Sequence, residues 1–148
     1  MAISLHPDFK DFLKLLNSHK VDYLLIGGYA VGYHGFPRAT ADIDIWIAIN
    51  PQNAAKMVKV LTKFGFKVPE LSTDLFLHKN KIVRLGNAPV RIEVLTSISG
   101  VDFDECFQNK TIAIIDHVKV NIINLKDLKK NKKASGREKD LIDLKKLP

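Results

Sequence analysis

The sequence predicts an α/β or α+β fold in which a mixed β-sheet is flanked by helices. Apolar segments with strand-like alternation are interleaved with segments whose apolar residues recur at helical spacing. Helices separate the strands early in the chain, whereas closely spaced strands indicate hairpins later. At 148 residues, the chain can bury a hydrophobic core without disulfides. We therefore treat residues 1–148 as a single domain, with a core over about 20–123 and basic helices over 124–147.

The first half of the chain is predicted to alternate helices and strands. Leucine and phenylalanine recur at helical spacing near the N-terminus, "VDYLLIGG" is a short apolar run, and "DIDIWIAI" alternates with period two. "NPQNAAKMVKVLTKFGF" starts with a cap-forming asparagine and a first-turn proline, and it ends at a glycine. The predicted elements are a helix over 8–19, a strand ending at Gly27 and Gly28, a helix over 29–35, a strand over 42–49 and a helix from Asn50 to Gly65.

The second half is predicted to contain hairpins followed by two helices. Runs rich in β-branched residues are broken by turn-forming residues, and the lysine-rich end has helical periodicity. Ser135 and Glu138 fit the capping-box pattern at the start of the last helix. The predicted elements are strands between 74 and 95 with turns at 79–80 and 86–87, a hairpin over 111–123 turning at 116–117, and helices over 124–133 and 136–147.

The composition argues against disordered and membrane-spanning proteins. The chain is 46% hydrophobic and 26% charged, which is ordinary for a globular domain and argues against disorder. No apolar run approaches the roughly 18 residues that span a bilayer. The single cysteine, Cys106, suits a reducing compartment. We therefore expect a cytoplasmic protein without membrane association.

Positive charge is concentrated at the C-terminal end. Nine basic and four acidic residues lie in residues 126–148, so this segment carries +5 of the net charge of +7. Such a segment attracts polyanions, either nucleotide phosphates or nucleic acid. It is equally consistent with a solvated helix face that lysine keeps soluble.

The stretch "LLIGGYAVGYHGFPRATADIDIWI" (24–47) contains the residues that point to chemistry. Gly27 and Gly28 follow a strand, where backbone N–H groups can approach a phosphate closely. Asp42 and Asp44 share one face of the next strand, because side chains alternate along a strand. Two carboxylates on one face repel each other unless a cation lies between them. Mg²⁺ is such a cation, since it binds one or two carboxylates together with phosphate oxygens.

A third carboxylate is expected on a later strand. In "PVRIEVL", Arg91 and Glu93 share one face, and Glu93 would join the two aspartates if its strand lies beside theirs. A set of three carboxylates can hold two metal ions and accept the proton of an attacking hydroxyl. Weaker candidates follow in the next loop: Asp102, Asp104 and Glu105.

This ordered pattern resembles the polymerase-beta-like nucleotidyltransferase superfamily. The resemblance rests on "GGYAVGYHGFPRATADIDIWI", a glycine pair at a helix start followed by Asp-x-Asp on a strand, and on a separate acidic strand. With the late "GREKDLIDLKKL", it is similar to small stand-alone nucleotidyltransferase-like proteins, including toxin-like components of bacterial toxin–antitoxin and abortive-infection systems. The resemblance covers residues from about 20 to 146 and implies a nucleotidyltransferase-like fold.

The resemblance also implies a reaction and its residues. A nucleoside monophosphate would move from an NTP to an acceptor hydroxyl with release of pyrophosphate, by the two-metal scheme. Asp42, Asp44 and Glu93 would hold two Mg²⁺ ions with bound nucleotide, and Glu93 would help to deprotonate the acceptor. The implied nucleotide-binding residues are Gly27, Gly28, Tyr29, Arg38, Thr40 and Lys139.

Three functions remain open from the sequence. The first is a magnesium-dependent nucleotidyltransferase that acts on RNA, a protein hydroxyl or a small molecule. The second is a nucleotide- or nucleic-acid-binding regulator that keeps the fold without turnover, since Tyr29 and Glu93 depart from the small residue and the aspartate common in the family. The third is an interaction protein, such as half of a toxin–antitoxin pair or a homodimer. Arg38 could instead neutralise nearby acids, and Lys139 could pair with acids of its own helix.

Overall fold

The computed structural model describes residues 4–87 and 89–148, and in these residues the chain forms six α-helices, one short 3-10 helix and six strands. The helices are α1 (Pro7–Ser18), α2 (Gly27–Tyr33), α3 (Pro51–Phe64), α4 (Phe103–Gln108), α5 (Leu125–Ser135) and α6 (Glu138–Lys146), and the 3-10 helix spans Thr73–Phe76. The strands are β1 (Tyr23–Ile26), β2 (Asp42–Ile47), β3 (Ile82–Asn87), β4 (Val90–Leu95), β5 (Thr111–Ile115) and β6 (Val118–Ile122). None of the helices in these two ranges is long and apolar enough to cross a membrane.

All six strands form one mixed sheet in the order β3-β4-β2-β1-β6-β5. β2 runs parallel to β4, and β1 runs parallel to β6. The other three strand pairs are antiparallel. This mixed α/β single domain confirms the predicted fold class. It also brings β1, β2 and β4, which carry the glycines and the acidic residues, side by side.

The face of β2 opposite Asp42 and Asp44 lies in the core. The three isoleucines of this strand are fully buried there, as strand alternation predicts. The apolar faces of α1 and α3 belong to the same core, and the Phe12 and Phe64 rings join the two helices with centroids 5.4 Å apart. The core therefore supports β2 from one side and leaves the carboxylate face to other elements.

Several predicted elements are wrong in detail. No strand forms over 74–78. The 3-10 helix forms there instead of a strand, and it buries only the side chain of Phe76, so the alternating burial of a strand is absent. The turn predicted at 86–87 lies within β3, whose pairing with β4 continues to Asn87. The glycine strand also ends one residue earlier than predicted, at Ile26, and the glycines open α2.

The region of Asp102, Asp104 and Glu105 is not a loop. Asp102 caps α4 by accepting a hydrogen bond from the backbone N–H of Glu105 at 3.3 Å. The other two acids lie in the first helical turn, where negative charge is favourable. These carboxylates therefore have a local role in starting a helix.

The predicted capping box at Ser135 and Glu138 is also wrong. Ser135 is the last residue of α5, and Gly136, with φ of 65°, ends that helix in the left-handed region. α6 starts at Glu138 without a side-chain cap. The Ser135 hydroxyl instead donates to the carboxylate of Asp140 on the next helix.

Candidate functional site

The register of three neighbouring strands places the predicted acidic residues on one face of the sheet. Asp44 lies opposite Ile26, the last residue of β1, and opposite Glu93 on β4. Asp42 lies two residues earlier on β2, opposite Arg91. β4 therefore lies beside β2, as is required for Glu93 to join the two aspartates.

A cleft of about 380 Å³ opens over this face, between the sheet and the C-terminal helices. Its sheet side includes Gly27, Asp44 and Glu93. The opposite side, formed by α5, α6 and the loop after β4, contributes polar and charged groups: Ser97, Ser99, Asn131, Lys132, Ser135, Arg137 and Asp140. The cleft thus places the acidic pair opposite hydroxyl, amide and cationic groups.

Asp44 lies in an environment that disfavours its charged form. Burial, together with the hydrogen bond and the charge of Glu93, raises the pKa of Asp44 to about 7, and Lys139 only partly opposes this. The Oδ1 atom of Asp44 is buried and has no hydrogen-bond partner among the described residues. Burying a polar oxygen without a partner costs free energy. A cation at this oxygen would remove that cost.

Arginine side chains hold the other two carboxylates. Arg91 contacts Asp42 in a bidentate arrangement, with Nε and Nη2 each 2.8 Å from a carboxylate oxygen. The Nε of Arg84 donates to Oε1 of Glu93 at 2.9 Å. Both guanidinium groups are substantially exposed, so they can exchange partners without being buried alone.

Because of these pairs, the three carboxylates do not surround a common point. Within residues 4–87 and 89–148, no three His, Cys, Asp or Glu side chains are grouped closely enough to hold a metal ion. The donor set nevertheless fits Mg²⁺, which needs only one or two carboxylates when phosphates and waters complete its octahedron. Asp44 and Glu93 supply such oxygens, and Oδ1 of Asp44 has no competing partner in the described chain. Asp42 can join them only by leaving Arg91.

The glycine step packs tightly against the acidic strand and the loop before it. A side chain at Gly27 would collide with the carboxylate of Asp44, and the φ of Gly27 is +68°. At Gly28, a Cβ would lie 2.6 Å from the Thr40 hydroxyl oxygen. Only glycine fits at either position. The glycines therefore have a packing role that is independent of the predicted phosphate contacts.

The remaining predicted nucleotide contacts do not line this cleft. The Tyr29 ring is buried and packs edge-on against Phe9, with centroids 5.8 Å apart. Lys139 lies in a separate groove on α6, yet close enough to Asp44 to lower its pKa. A smaller cavity, of about 170 Å³, is bordered by Gly28, Tyr29, Arg38 and Thr40. The structure therefore joins Gly27, Asp44 and Glu93 in one cleft and places the other positions around it.

Arg38 belongs to a buried ion-pair network that attaches the C-terminal helices to the loop before β2. Its guanidinium group donates to both oxygens of Asp143, each at 2.9 Å. The Nζ of Lys132 lies 2.8 Å from Asp140 and 3.1 Å from Asp143. The acid that Arg38 neutralises is thus on α6, and the network fixes α5 and α6 over the cleft.

The acids of this network stay charged although they are buried. Burial raises the pKa of Asp140, but hydrogen bonds from Lys132, Ser135 and Arg137 outweigh it and lower the pKa to about 2. Burial likewise opposes ionisation of Asp143, yet Arg38 and Lys132 hold its pKa below the ordinary value. The network is therefore internally satisfied.

Several residues of the cleft carry no recognisable signal in the sequence. Asn131 donates to the backbone oxygen of Ser99 at 3.0 Å and attaches the loop after β4 to α5. Lys132 is buried, yet it stands among other lysines that are more exposed. The pairing of Arg91 with Asp42, beside the cleft, could have been inferred, because Arg91 shares the strand face of Glu93 and alternation directs it to the aspartates.

Solved structures of two proteins are similar to this chain. One is a candidate nucleotidyltransferase from Thermotoga maritima, with 19% sequence identity, a TM-score of 0.64, and coverage of 97% of this chain and 94% of that chain. The chain has a nucleotidyltransferase-like fold. The other is an antigenic nucleotidyltransferase-like protein from Paracoccidioides brasiliensis, with 22% identity, a TM-score of 0.55, and coverage of 93% of this chain and 72% of that chain. No protein-family model and no curated protein sequence matches the chain.

Proposed function

We propose that this protein is a magnesium-dependent nucleotidyltransferase that moves a nucleoside monophosphate from an NTP to an acceptor hydroxyl. The observation that carries the proposal is the pairing of Asp44 with Glu93 on adjacent parallel strands, beside Gly27 and inside the cleft. The nucleotidyltransferase-like fold supports it. So does the buried Asp44 oxygen that has no partner in the described chain.

In this proposal, Asp44 and Glu93 would hold the magnesium, and Asp42 would contribute a further carboxylate if it were released from Arg91. The fold family implies two ions with bound nucleotide. Magnesium supplies positive charge between the carboxylates and the phosphates, which makes the α-phosphorus more electrophilic. Gly27 leaves room for Asp44 to approach the end of β1, since any side chain there would occupy the position of its carboxylate.

The walls of the cleft suit a nucleoside triphosphate. Arg84, which is largely exposed, can transfer its hydrogen bond from Glu93 to a phosphate. Beside Arg84 and Glu93, an apolar surface suits a base, and Ser97 and Asn131 offer polar partners for its edge. That surface is formed by Ile82, Leu95 and Ile98.

The proton released in the reaction also has a place to go. The acceptor oxygen loses its proton as the new bond to phosphorus forms and the bond to pyrophosphate breaks. Asp44 and Glu93 both line the cleft, and a carboxylate oxygen that does not bind the ion can accept this proton. We assign proton acceptance to this pair.

A second candidate function is favoured by the arginine pairs. Arg91 and Arg84 bind two of the carboxylates that a metal would need. The protein would then bind a nucleotide without transferring it and act as an interaction partner, for example in a toxin–antitoxin pair. This candidate predicts nucleotide binding without release of pyrophosphate.

Thermal melting with each NTP, with and without Mg²⁺, tests the proposed site. A ligand at about 100 times its Kd stabilises the native state by roughly 2.7 kcal/mol, which raises the Tm by several degrees. We expect the wild type to shift only with magnesium, and Asp44→Asn not to shift. The matched control is Asp104→Asn, because Asp104 is an exposed carboxylate outside the cleft.

Pyrophosphate release in the same samples separates the two candidates. Total RNA, a protein with exposed hydroxyls and small alcohols serve as trial acceptors. Release by the wild type and the Asp104→Asn control, but not by Asp44→Asn, supports transfer. A magnesium-dependent shift without release under any condition supports the binding protein instead. If no nucleotide shifts the wild type, both candidates are wrong.

A further inference from the structure

We propose that the protein forms a homodimer by antiparallel pairing of β5 with the β5 of a second copy. β5 ends the sheet, and within the described ranges it pairs only with β6. Two strands separate it from β2, so the acidic cleft stays open in such a dimer. The inference goes beyond the proposed function and does not depend on it.

The side chains of β5 leave an apolar patch at the edge of the sheet. Ile114 is 69% exposed and Ile112 is 56% exposed, the two highest values among the large hydrophobic side chains of the described residues. Both lie on one face of the strand. Free edge strands are usually protected by lysine, proline, a bulge or a covering loop, but "TIAII" has no charge and no proline. Exposed apolar side chains on an edge strand without these protections are available for pairing with another strand.

The backbone of β5 is also oriented for pairing. Asp116 and His117 form a two-residue turn, both with positive φ, between Ile115 and Val118. The residues that flank such a turn form a hydrogen-bonded pair. Counting back from the turn, Ile115, Ala113 and Thr111 therefore form their backbone hydrogen bonds with β6. It follows that the N–H and C=O groups of Ile112 and Ile114 point away from β6, toward the open edge.

One register satisfies both the backbone and the side chains. When two β5 strands pair about Ala113, Ile112 lies opposite Ile114 of the partner subunit in a hydrogen-bonded pair. Lys110, just before β5, then lies near Asp116 of the partner subunit, just after that subunit's β5, at both ends of the interface. Opposite charges and β-branched side chains directly across a strand pair stabilise it. A shift of two residues in either direction would lose both charge pairs, so the sequence specifies the register.

The groups needed for these charge pairs are at the surface. The ammonium of Lys110 lies 4.1 Å from the centre of the Phe107 ring, and Asp116 lies 3.6 Å from Lys10 of its own chain. Neither residue is buried. Each can therefore contact a second copy without losing a buried partner.

Sedimentation velocity and light scattering over a wide range of protein concentration test the dimer. We expect the wild type to dimerise and Ile114→Lys to remain monomeric with an unchanged Tm at low concentration. The matched control is Ile142→Lys, because Ile142 is 50% exposed on α6, away from the edge; it should still dimerise. A wild type that is monomeric at every concentration, or an Ile114→Lys protein that still dimerises, would overturn the proposal.

Cross-linking tests the register. Ala113 would face Ala113 of the partner subunit in a non-hydrogen-bonded pair, where the Cα atoms lie about 4.5 Å apart and suit a disulfide. We expect Ala113→Cys to form a disulfide-linked dimer under mild oxidation. Ile114→Cys is more exposed but out of register, so it should cross-link less. The native Cys106 lies on α4, outside β5, and a Cys106→Ala background removes any contribution from it. More cross-linking at position 114 than at 113 would contradict this register.

Discussion

Asp44 and Asp140 border the same cleft, yet their carboxyl groups are in opposite electrostatic situations. Burial raises the pKa of both groups. The neighbours of Asp44 are carboxylates, and its pKa rises to about 7. The neighbours of Asp140 are Lys132, Ser135 and Arg137, and its pKa falls to about 2. Both carboxyl groups bear the cost of burial, which is the largest cause at Asp44, so the difference between their partners decides which one is satisfied by the fold itself.

The surroundings of Asp140 form a structural site, whereas the surroundings of Asp44 form a site that can accept a ligand. The network around Asp140 closes on itself and fixes two helices over the cleft. The oxygen of Asp44 is left without a partner in the described chain, on the sheet side of the same cleft. Strongly perturbed carboxylates in clefts are candidates for function, whereas paired ones usually hold structure together. Substitutions in the two regions should therefore have opposite effects on stability.

The largest effect is expected from Lys132→Met. This change leaves Asp140 and Asp143 buried without the ammonium that contacts both. Removing one partner of a buried ion pair typically costs about 3–5 kcal/mol. Urea unfolding should show a loss of this size. Lys133→Met is the matched control, because Lys133 is the exposed neighbour on α5 and should change little. Equal losses of unfolding free energy in both variants would show that the network does not stabilise the packing of α5 and α6.

The second prediction concerns the pH dependence of stability. Because the native pKa of Asp44 is raised from 3.8 to about 7, the native state holds more protons than the unfolded state between these values. The contribution of Asp44 to the free energy of unfolding is therefore complete below pH 4 and is lost as the pH rises through 7. Asp140 has the opposite sign, since its lowered pKa stabilises the fold above pH 4 and that contribution is lost toward pH 2.

Asp44→Asn should therefore stabilise the metal-free protein in alkaline conditions. We expect the free energy of unfolding at pH 8 to exceed that of the wild type by roughly 1–3 kcal/mol, because the variant avoids burying this charge. Near pH 4 the two proteins should differ little. Urea unfolding across this pH range measures the effect, and Asp11→Asn, at an exposed carboxylate on α1, serves as control. A stability difference that is the same at all pH values would contradict the raised pKa.

The two regions also differ in how far the sequence predicts them. Asp44 and Glu93 stand on strands whose alternation is visible locally, so their shared face could be inferred once the strands were assumed adjacent. Lys132 differs from the other lysines of α5 only by its burial, which arises from the packing of α5 on α6. The Ser135 capping box failed for a related reason. Gly136 ends the helix first, and the hydroxyl then binds an acid on the next helix. Local patterns therefore reveal the acidic site better than the network that covers it.

The smallest change in stability is expected from Arg91→Met, which tests metal binding instead. The pair of Arg91 with Asp42 lies at the surface, and exposed ion pairs contribute little to folding. Metal binding should respond more strongly, because the change frees Asp42 to join Asp44 and Glu93.

We expect the affinity for Mn²⁺, used as a spectroscopic probe for Mg²⁺, to rise by up to about tenfold, at the lower end of the effects that residues contacting metal ligands have. Titration followed by electron paramagnetic resonance measures this affinity without any substrate. Lys81→Met, at an exposed lysine just before β3, is the control. Weaker Mn²⁺ binding in Arg91→Met would mean that the arginine orients Asp42 for the ion instead of competing with it. Asp42 would then be a ligand that Arg91 holds in position, and all three carboxylates would belong to the ligand site. Unchanged Mn²⁺ binding would instead leave Asp42 with the internally satisfied carboxylates and reduce the ligand site to Asp44 and Glu93.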